Sequence, residues 1–398
     1  MGNVYIRENK YERVVFCLLL VYALATNLSV GVTSTCIVLM IVTTIVQKVK
    51  TKAIPCLDPG IKKIFLIYFA FQLLIAVFSW NPAVSLNEVF STFTRVVIPM
   101  YYAMSYIKTA KRLVLVCVAL LTSLLISDFI GVYQLANNIF MRVNGASDNP
   151  NMFAVHIIMT LPLMYIVLRN NVWGKYVKYY MFFTLGISML MLLIARSRSS
   201  WITFVCMTAV LLYCDKDNRE LLIKAVGAFV ILLVGIGVFM PEFVERIASI
   251  MDFENKSNSN RFFMWKASWS MFMDYPFTGV GQEQWQQAYY GPYNDFVTPY
   301  YYYTHPHNNI IQQLAQGGLC GVVSYCFLHL FFLYKFFRMK LNHKTRIVQC
   351  CGVAGVLIWL GLQVTGVFDV NLDKIVIMRE YWFIMGAMLS AVYYDNMD

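Results

Sequence analysis

The chain has 398 residues, of which 59% are hydrophobic and 13% are charged, and its mean hydropathy is +0.59. These values lie outside the range of ordinary globular domains and are typical of a protein that crosses a membrane many times. The formal net charge of +11 argues only weakly for nucleic-acid binding, because most of the basic residues follow the pattern of membrane topology.

Twelve apolar stretches are candidates for transmembrane helices, since a bilayer core requires about 20 apolar residues per helix. They lie roughly at residues 14–27, 29–47, 64–80, 94–107, 113–135, 153–168, 179–195, 199–214, 221–240, 309–334, 347–368 and 376–394. The stretch at 94–107 has the weakest signal, because Arg95 and Pro99 interrupt it. The pattern predicts an all-α, polytopic integral membrane protein with about 12 transmembrane helices.

The basic residues between these stretches predict the orientation. Of the 32 Lys and Arg residues, 22 flank the predicted spans on one side, and 15 of those 22 are lysines. Because cytoplasmic loops are enriched in Lys and Arg, this side and both termini are expected to be cytoplasmic. No small-residue cleavage site follows residues 14–27, so the first span is expected to remain in the membrane.

The longest segment between predicted spans divides the chain into three parts. Residues 1–240 are expected to hold transmembrane helices 1–9, residues 241–307 a partly helical loop domain on the outer side, and residues 308–398 helices 10–12. The loop contains none of the ten cysteines, which argues against a disulfide framework there. No Cys/His spacing typical of a structural metal site is present.

Two stretches of the loop suggest contact with a membrane surface or with sugars. An amphipathic helix lying at the interface is predicted at 261–272, with its apolar face at positions 262, 265, 269 and 272. An aromatic run follows: Tyr289, Tyr290, Tyr293, Phe296, Tyr300, Tyr301, Tyr302 and Tyr303. Tyrosines are common at membrane interfaces, and they also stack on sugar rings, so both interpretations stay open.

The cations predicted for the outer side differ in type from the cytoplasmic ones. They number ten, and seven of them are arginines. They are Arg95, Arg142, Arg196, Arg198, Arg246, Lys256, Arg261, Lys266, Lys374 and Arg379. A guanidinium is a fork suited to phosphate oxygens, so the set predicts an anion site. Snorkelling of single side chains to lipid headgroups is the alternative.

The Arg196-Ser197-Arg198-Ser199-Ser200 cluster opens the eighth predicted span. Backbone N–H groups at the start of a helix add to anion affinity, and a pyrophosphate is a suitable ligand for this cluster. Arg95, at the predicted outer start of span four, and Arg142, ahead of a turn at 149–151, are further candidates. Asn-Pro-Asn in that turn is also typical of a plain helix cap.

His307 is the candidate catalytic residue. It lies at the outer start of the tenth predicted span, where Asn308 can cap the helix. A helix N-terminus disfavours the imidazolium form, which leaves a histidine able to accept a proton near neutral pH. A structural role for this histidine is the alternative.

Acidic residues near 370 have the spacing of a calcium loop, but Lys374 occupies the position that requires glycine. A calcium site is therefore not expected. An outer polar cluster is predicted instead, consisting of Asp369, Asp373, Lys374, Arg379 and Glu380.

Four patterns together resemble the O-antigen ligase and O-antigen polymerase superfamily of polytopic bacterial membrane glycosyltransferases. They are His307-Asn308 followed by nine residues, Gly318, two residues and Gly321; the Arg196–Ser200 cluster; Asn149-Pro150-Asn151; and Arg261…Trp265…Asp274-Tyr-Pro276-Phe-Thr-Gly279-Val-Gly281. The resemblance covers roughly residues 140–325.

The resemblance implies a metal-independent, inverting glycosyltransferase without cofactors. It implies a donor glycan on undecaprenyl pyrophosphate, an acceptor hydroxyl on a glycan or on lipid A core, contact with membrane lipids and no nucleic acid. His307 and Arg196 would be the two catalytic residues: His307 would act as general base or orient the acceptor, and Arg196 would bind pyrophosphate. Six more residues would bind pyrophosphate or glycan: Arg198, Arg95, Arg142, Arg261, Asn308 and Asn151. The protein would lie in the inner membrane with its active site facing the periplasm.

Three activities occur in the family: ligation of glycan to lipid A core, polymerisation of repeat units and protein O-glycosylation. The compact chain and its single long loop favour ligation. A polysaccharide or lipid transporter would predict ionisable residues deep in the membrane and internal repeats, and a scaffold would need no outer Arg and His residues.

Overall fold

A computed structural model of the chain describes residues 9–138, 141–170, 174–215, 219–239, 256–296 and 302–395. Within these ranges the chain forms helices joined by turns and contains no β-strand, which confirms the prediction of an all-α protein. The helices are α1 (Lys10–Ala25), α2 (Val30–Thr51), α3 (Pro59–Val77), α4 (Pro82–Tyr106), α5 (Ala110–Asn137), α6 (Pro150–Thr160), α7 (Pro162–Asn170), α8 (Gly174–Ile194), α9 (Arg198–Cys214), α10 (Arg219–Phe239), α11 (Lys256–Asp274), α12 (Trp285–Tyr290), a 3-10 turn (Asn294–Phe296), α13 (Asn309–Asn342), α14 (Arg346–Phe368) and α15 (Ile375–Asp395).

Eight helical segments in the described ranges are long and apolar enough to cross a membrane. They are α2, α3, α5, the consecutive pair α6 and α7, α8, α13, α14 and α15. Helix α9 is a shorter apolar helix. All twelve predicted stretches coincide with helices, so the polytopic class is confirmed, while the number of twelve spans stays a prediction.

Helix α4 begins much earlier than its hydropathy suggests. Pro82 occupies the first turn, and the Asn81 side chain caps the helix by accepting from the Val84 N–H at 3.3 Å. The expectation that Arg95 lies at the outer start of this helix is therefore wrong. Arg95 lies inside the helix and is 5% exposed. The first turns carry polar residues such as Glu88, so the apolar stretch marks only the second half.

The core lies around α15, which packs along α4 and against α14. Gly386 permits the close approach to α4, because a Cβ there would lie 2.5 Å from the carbonyl oxygen of Met100. Trp382 is fully buried and contacts the rings of Phe65 and Phe332 on neighbouring helices. This packing fixes the short connection between α14 and α15, which carries part of the candidate site.

Helix α13 is broken at Gly318, whose φ of 56° and ψ of −149° are not helical. The break frees backbone groups that pair with the loop preceding α12. Val280 N–H donates to Ala315 C=O at 2.9 Å, Gly281 N–H to Gln316 C=O at 3.0 Å, Leu319 N–H to Pro276 C=O at 2.9 Å, and Cys320 N–H to Phe277 C=O at 3.0 Å. Irregular backbone in such a helix is tolerated when its polar groups are satisfied in this way. The predicted outer loop, which the structure describes over residues 256–296 and 302–307, is thus anchored to the helix that begins beside His307.

Helix α11 confirms the predicted helix at 261–272, and a face other than the one predicted for the membrane interface packs on the protein. Met264, Ala267 and Met271 are buried, and they pack with Trp285 of α12. Phe262 and Trp269, from the predicted face, are 46% and 55% exposed. A membrane surface would contact the exposed aromatic side of α11, and that contact stays a prediction.

The predictions for Arg246, Tyr300 and Tyr301 concern residues outside the described ranges, and the side chain of Lys256 is also outside them.

Candidate functional site

His307 lies in the turn before α13 with a left-handed φ of 53°. Such a conformation costs about 1–3 kcal/mol for a residue other than glycine and persists only where neighbours hold it. Asn308 supplies that support. Its side-chain oxygen accepts from the Ile311 N–H at 3.0 Å, and its amide donates to the Val367 carbonyl at 3.0 Å. Asn308, predicted to bind substrate, therefore ties the start of α13 to the end of α14.

Asp369 is the direct partner of His307. The Nδ1 atom of His307 lies 2.9 Å from Oδ1 of Asp369, which also accepts from the Val370 N–H at 2.8 Å. Burial alone would raise the pKa of the Asp369 carboxyl, but the hydrogen bond and charge of His307, the charge of His305 and the Val370 N–H lower it to about 2. Asp369 is therefore ionised at neutral pH. This favours the tautomer of His307 with its proton on Nδ1 and Nε2 free to accept a proton.

A cavity of about 230 Å³ opens beside this pair. Its lining residues are Arg142, Asn149, Pro150, Asn151, Met152, Val155, His305, His307, Asp369, Val370, Asn371, Lys374 and Ile377. Burial lowers the pKa of His305 to about 3, and the nearby His307, whose ring centroid is 4.4 Å away, acts in the same direction. His305 is therefore neutral. Among the described lining residues, Arg142 is the only arginine and Lys374 the only lysine.

Arg142 and Asn151 were predicted from the sequence, and the structure brings both to His307. Arg142 donates through Nη2 to Oδ1 of Asn151 at 3.0 Å and through Nε to the carbonyl of Ala195 at 3.0 Å. The Asn151 amide donates to Oδ2 of Asp369 at 3.4 Å. The chain of contacts from Ala195 through Arg142 and Asn151 to Asp369 joins three helix ends around the cavity. Asn149 caps α6 at the same turn, as the alternative interpretation expected.

Arg196 follows the carbonyl that Arg142 contacts. It is 6% exposed and has a φ of 50°, so the two predicted catalytic residues share the same unusual backbone conformation. Besides Arg196 and His307, the described residues other than glycine with positive φ are Lys52 and Glu283. Strained positions of this kind concentrate at functional sites. Ser197 lies directly before α9, and its hydroxyl lies 3.2 Å from that of Ser200.

Arg196 does not line the cavity beside His307, and neither do the remaining predicted arginines that the structure describes. Arg95 pairs with Glu88 and donates to the Asp373 carbonyl at 3.1 Å, so it holds the α14–α15 connection from the other side. Gln312 donates to the Asp373 carboxylate at 2.6 Å. Arg198 is the first residue of α9, and Arg261 lies near the start of α11; both make interactions of their own.

Glu380 does not belong to the predicted outer cluster with Asp369 and Asp373. It lies more than one turn inside α15, is fully buried, and pairs with Nδ1 of His156 and with the Thr160 hydroxyl at 2.8 Å. Sequence spacing along a helix does not reveal which neighbouring helix faces each turn. The predicted outer polar cluster therefore wrongly includes Glu380.

We expect Glu380→Ala to lower the free energy of unfolding by about 2–5 kcal/mol, because it leaves His156 and Thr160 buried without their partner. The matched control is Glu220→Ala, which removes an exposed pair with Lys224 whose side chains are 84% and 70% exposed, respectively. Thermal unfolding in one detergent checks both variants. Equal melting temperatures would contradict the structural role given to Glu380.

His305, His307 and Asp369 could also hold a metal ion, because each offers one ligand atom and these atoms lie within 4.8 Å of one another. Two imidazoles and a carboxylate are suitable ligands for several divalent metals. The sequence-based prediction of metal independence is not tested by this geometry.

The pairing of Asp369 with His307 is the feature of the candidate site that the sequence did not predict. The sequence predicts Asp369 only as a member of the outer polar cluster. The available signal was its position directly after predicted span eleven, on the same outer side as His307.

A comparison with protein families matches residues 183–326 to a family described as O-antigen ligase. No curated protein matches the chain. The matched range includes Arg196, His307 and Gly318, whereas Arg142, Asn151 and Asp369 lie outside it.

Proposed function

The chain belongs to the O-antigen ligase superfamily, and on that premise we propose that it transfers a glycan from undecaprenyl pyrophosphate to a hydroxyl of lipid A core. The observation that carries the proposal is the His307–Asp369 pair at 2.9 Å beside a cavity that also holds Arg142 and Lys374. Transfer to a hydroxyl requires a base for the acceptor and positive charge for a pyrophosphate leaving group, and these residues supply both.

In the proposed reaction the acceptor hydroxyl oxygen attacks the anomeric carbon while Nε2 of His307 accepts its proton. The bond between the anomeric carbon and the pyrophosphate oxygen breaks, and its electron pair leaves with the pyrophosphate. Attack opposite the leaving group inverts the anomeric centre. Asp369 holds the tautomer of His307 and stabilises the imidazolium that forms.

Arg196 is proposed to bind the pyrophosphate, with Arg198 and Arg142 as further cationic partners. Arg142 links the Ala195–Arg196 turn to Asn151, so the leaving-group site and the base are held by one connected set of contacts. Arg95 and Asn308 are proposed to position the connection after α14 and the start of α13. Arg261 and Asn151 are proposed to contact the glycan.

The proposed location is the bacterial inner membrane, with both termini cytoplasmic and the site facing the periplasm. No nucleotide is available there, and the lipid pyrophosphate itself supplies the driving force. Polymerisation of repeat units and protein O-glycosylation use the same chemistry with another acceptor and are the alternatives within the family. A transporter is the alternative from another class: Asp128 and Glu380 are buried within apolar helices, bonded to Ser188 and His156, and the O-antigen ligase match favours transfer over transport.

The test is complementation of a strain that lacks its surface-polysaccharide ligase, with membrane expression of all variants matched. Wild type is expected to restore long glycan on lipid A core, seen on a lipopolysaccharide gel, and Arg196→Ala is expected to fail. Conversion of single repeats to long chains would instead indicate polymerisation. Equal activity of wild type and Arg196→Ala would contradict the proposed leaving-group site.

Metal independence is tested separately. Transfer assays in EDTA are expected to give unchanged rates, and loss of activity that a divalent metal restores would overturn metal independence.

Arg142→Lys is expected to lower kcat/KM for transfer about 100-fold, because one ammonium cannot span Asn151 and the Ala195 carbonyl as the guanidinium does. Arg338→Lys, on the predicted cytoplasmic end of α13, is the control and is expected to leave transfer unchanged. Assays in purified membranes with a labelled lipid-linked glycan measure both. Wild-type rates for Arg142→Lys would show that the simultaneous contacts of the Arg142 guanidinium with Asn151 and the Ala195 carbonyl are not required for transfer.

A further inference from the structure

A second cavity, of about 330 Å³, lies on the predicted outer loop. It is lined by Glu283, Gln286, Gln287, Tyr290 and Tyr302, and it shares no lining residue with the cavity beside His307. Aromatic rings offer flat surfaces to the apolar faces of sugar rings, and carboxamides and carboxylates bond to sugar hydroxyls. The lining therefore has the composition of a carbohydrate site.

The aromatic part of this cavity is held in place before any ligand arrives. Tyr290 and Tyr302 stack with ring centroids 5.1 Å apart and an interplanar angle of 12°. The Gln286 amide donates to the Tyr302 hydroxyl, and the Tyr290 hydroxyl accepts from the Tyr303 N–H at 2.7 Å. Tyr302 nevertheless remains 74% exposed, so its orientation is fixed while its outer surface is open. Such pre-organisation lowers the entropic cost of binding.

The charge of the cavity selects the kind of ligand. Glu283 is the only charged residue among those lining it. Burial raises the pKa of Glu283, the charge of Asp373 acts in the same direction, and Arg95 and Lys374 oppose it. A phosphate would meet no lining cation here, whereas uncharged sugar hydroxyls can donate to the carboxylate and the amide oxygens. The cavity beside His307, with Arg142 and Lys374, has the opposite preference.

The two cavities lie on a continuous piece of structure. The Tyr303 ring centroid lies 5.9 Å from that of His307, and the Tyr303 backbone is bonded to Tyr290. Tyr302 and His307 are five residues apart, which limits their Cα separation to about 17 Å. A short oligosaccharide bridges such a distance. Lys374 lines one cavity and acts electrostatically on Glu283 of the other.

We propose that Glu283, Gln286, Gln287, Tyr290 and Tyr302 form a subsite for uncharged sugar rings that lie several units away from the reacting bond. The inference rests on the proposed function, since it assigns this subsite to the glycan of the same transfer reaction. The sugar rings belong either to the donor glycan or to the acceptor glycan, and both offer the same chemistry.

Binding is tested on the full chain in nanodiscs with maltohexaose, cellohexaose and chitohexaose as probes, by saturation-transfer NMR. At least one probe is expected to bind, and Tyr302→Ala is expected to raise its Kd about 10-fold through loss of stacking, with Tyr302→Phe retaining binding. Tyr133→Ala removes a tyrosine that is 70% exposed elsewhere and should not change binding. No binding of any probe, or equal binding to wild type and Tyr302→Ala, overturns the subsite.

Transfer assays distinguish the two sources. In the donor arm, a donor with one sugar is compared with a donor of several sugars; in the acceptor arm, an acceptor with one sugar is compared with an acceptor of several sugars. Tyr302→Ala is expected to raise KM about 10-fold for the longer partner in one arm only, with kcat unchanged. Equal KM changes for long and short partners in both arms overturn the proposal. If wild type binds the hexasaccharides through Tyr302 and transfers nothing, the proposed function fails while the subsite stands.

Discussion

Replacement of His307 by alanine is expected to lower kcat for glycan transfer about 10³-fold, because the acceptor hydroxyl loses the base that takes its proton. The variant should still bind the lipid-linked donor, since Arg196 and Arg142 are unchanged. Steady-state assays with labelled donor separate kcat from KM. The control is His343→Ala in the predicted cytoplasmic loop, which is expected to match wild type. A His307→Ala enzyme with more than a tenth of wild-type kcat would exclude His307 as the base.

Asp369→Asn tests the same assignment through the partner of His307. An amide in place of the carboxylate no longer favours the proton on Nδ1, so kcat is expected to fall to a similar extent. The folded-state pKa of Asp369 is lowered to about 2, so its contribution is fully present above its ordinary value of 3.8 and is lost only as pH falls through about 2. Between pH 5 and pH 9, changes in rate therefore do not arise from titration of Asp369.

Sequence reasoning found the residues of this site whose local pattern carries information. Asn149-Pro150-Asn151 has the pattern of a helix cap, and it is one; His307-Asn308 has the pattern of a helix start, and it is one. Asp369 has no such pattern. Its role depends on α13 and α14 placing residues 62 positions apart within 2.9 Å, which is a property of helix packing. The same limit explains Glu380, whose partner His156 lies on a different helix 224 positions away.

Hydropathy located the helices but not all of their ends. The start of α4 is marked by Asn81 and Pro82, two residues with cap chemistry, while the apolar stretch begins near residue 94. Arg95 was therefore assigned to a helix end, although its guanidinium is buried against Glu88 and the carbonyl of Asp373. The first half of α4 contacts other protein segments through polar side chains, so hydropathy does not mark it as part of the helix.

Gly318 explains why glycines follow the histidine at this spacing. Its left-handed φ of 56° breaks α13, and the freed groups pair with residues 276–281 of the predicted outer loop. A Cβ on Gly318 would lie 2.5 Å from the carbonyl carbon of Phe277 and 2.7 Å from the carbonyl oxygens of Phe277 and Pro276. The obstructing atoms belong to the backbone, so no side-chain rotation relieves the overlap. The motif thus docks the segment that carries α11 and α12 onto the helix that begins after His307.

We expect Gly318→Ala to destabilise the protein by about 3 kcal/mol or more, through backbone strain and the loss of four backbone hydrogen bonds. The docked segment should then be cleaved by protease much faster than in wild type, and transfer should be lost. Gly186→Ala on α8 is the matched control, because a Cβ there has no heavy atom within 4 Å, and it should retain wild-type stability and transfer. Limited proteolysis, thermal unfolding and the transfer assay are compared at equal membrane abundance. If Gly318→Ala resists protease as wild type does, the helix break does not anchor this segment, and the catalytic turn must be held by Asn308 and the α14–α15 connection alone.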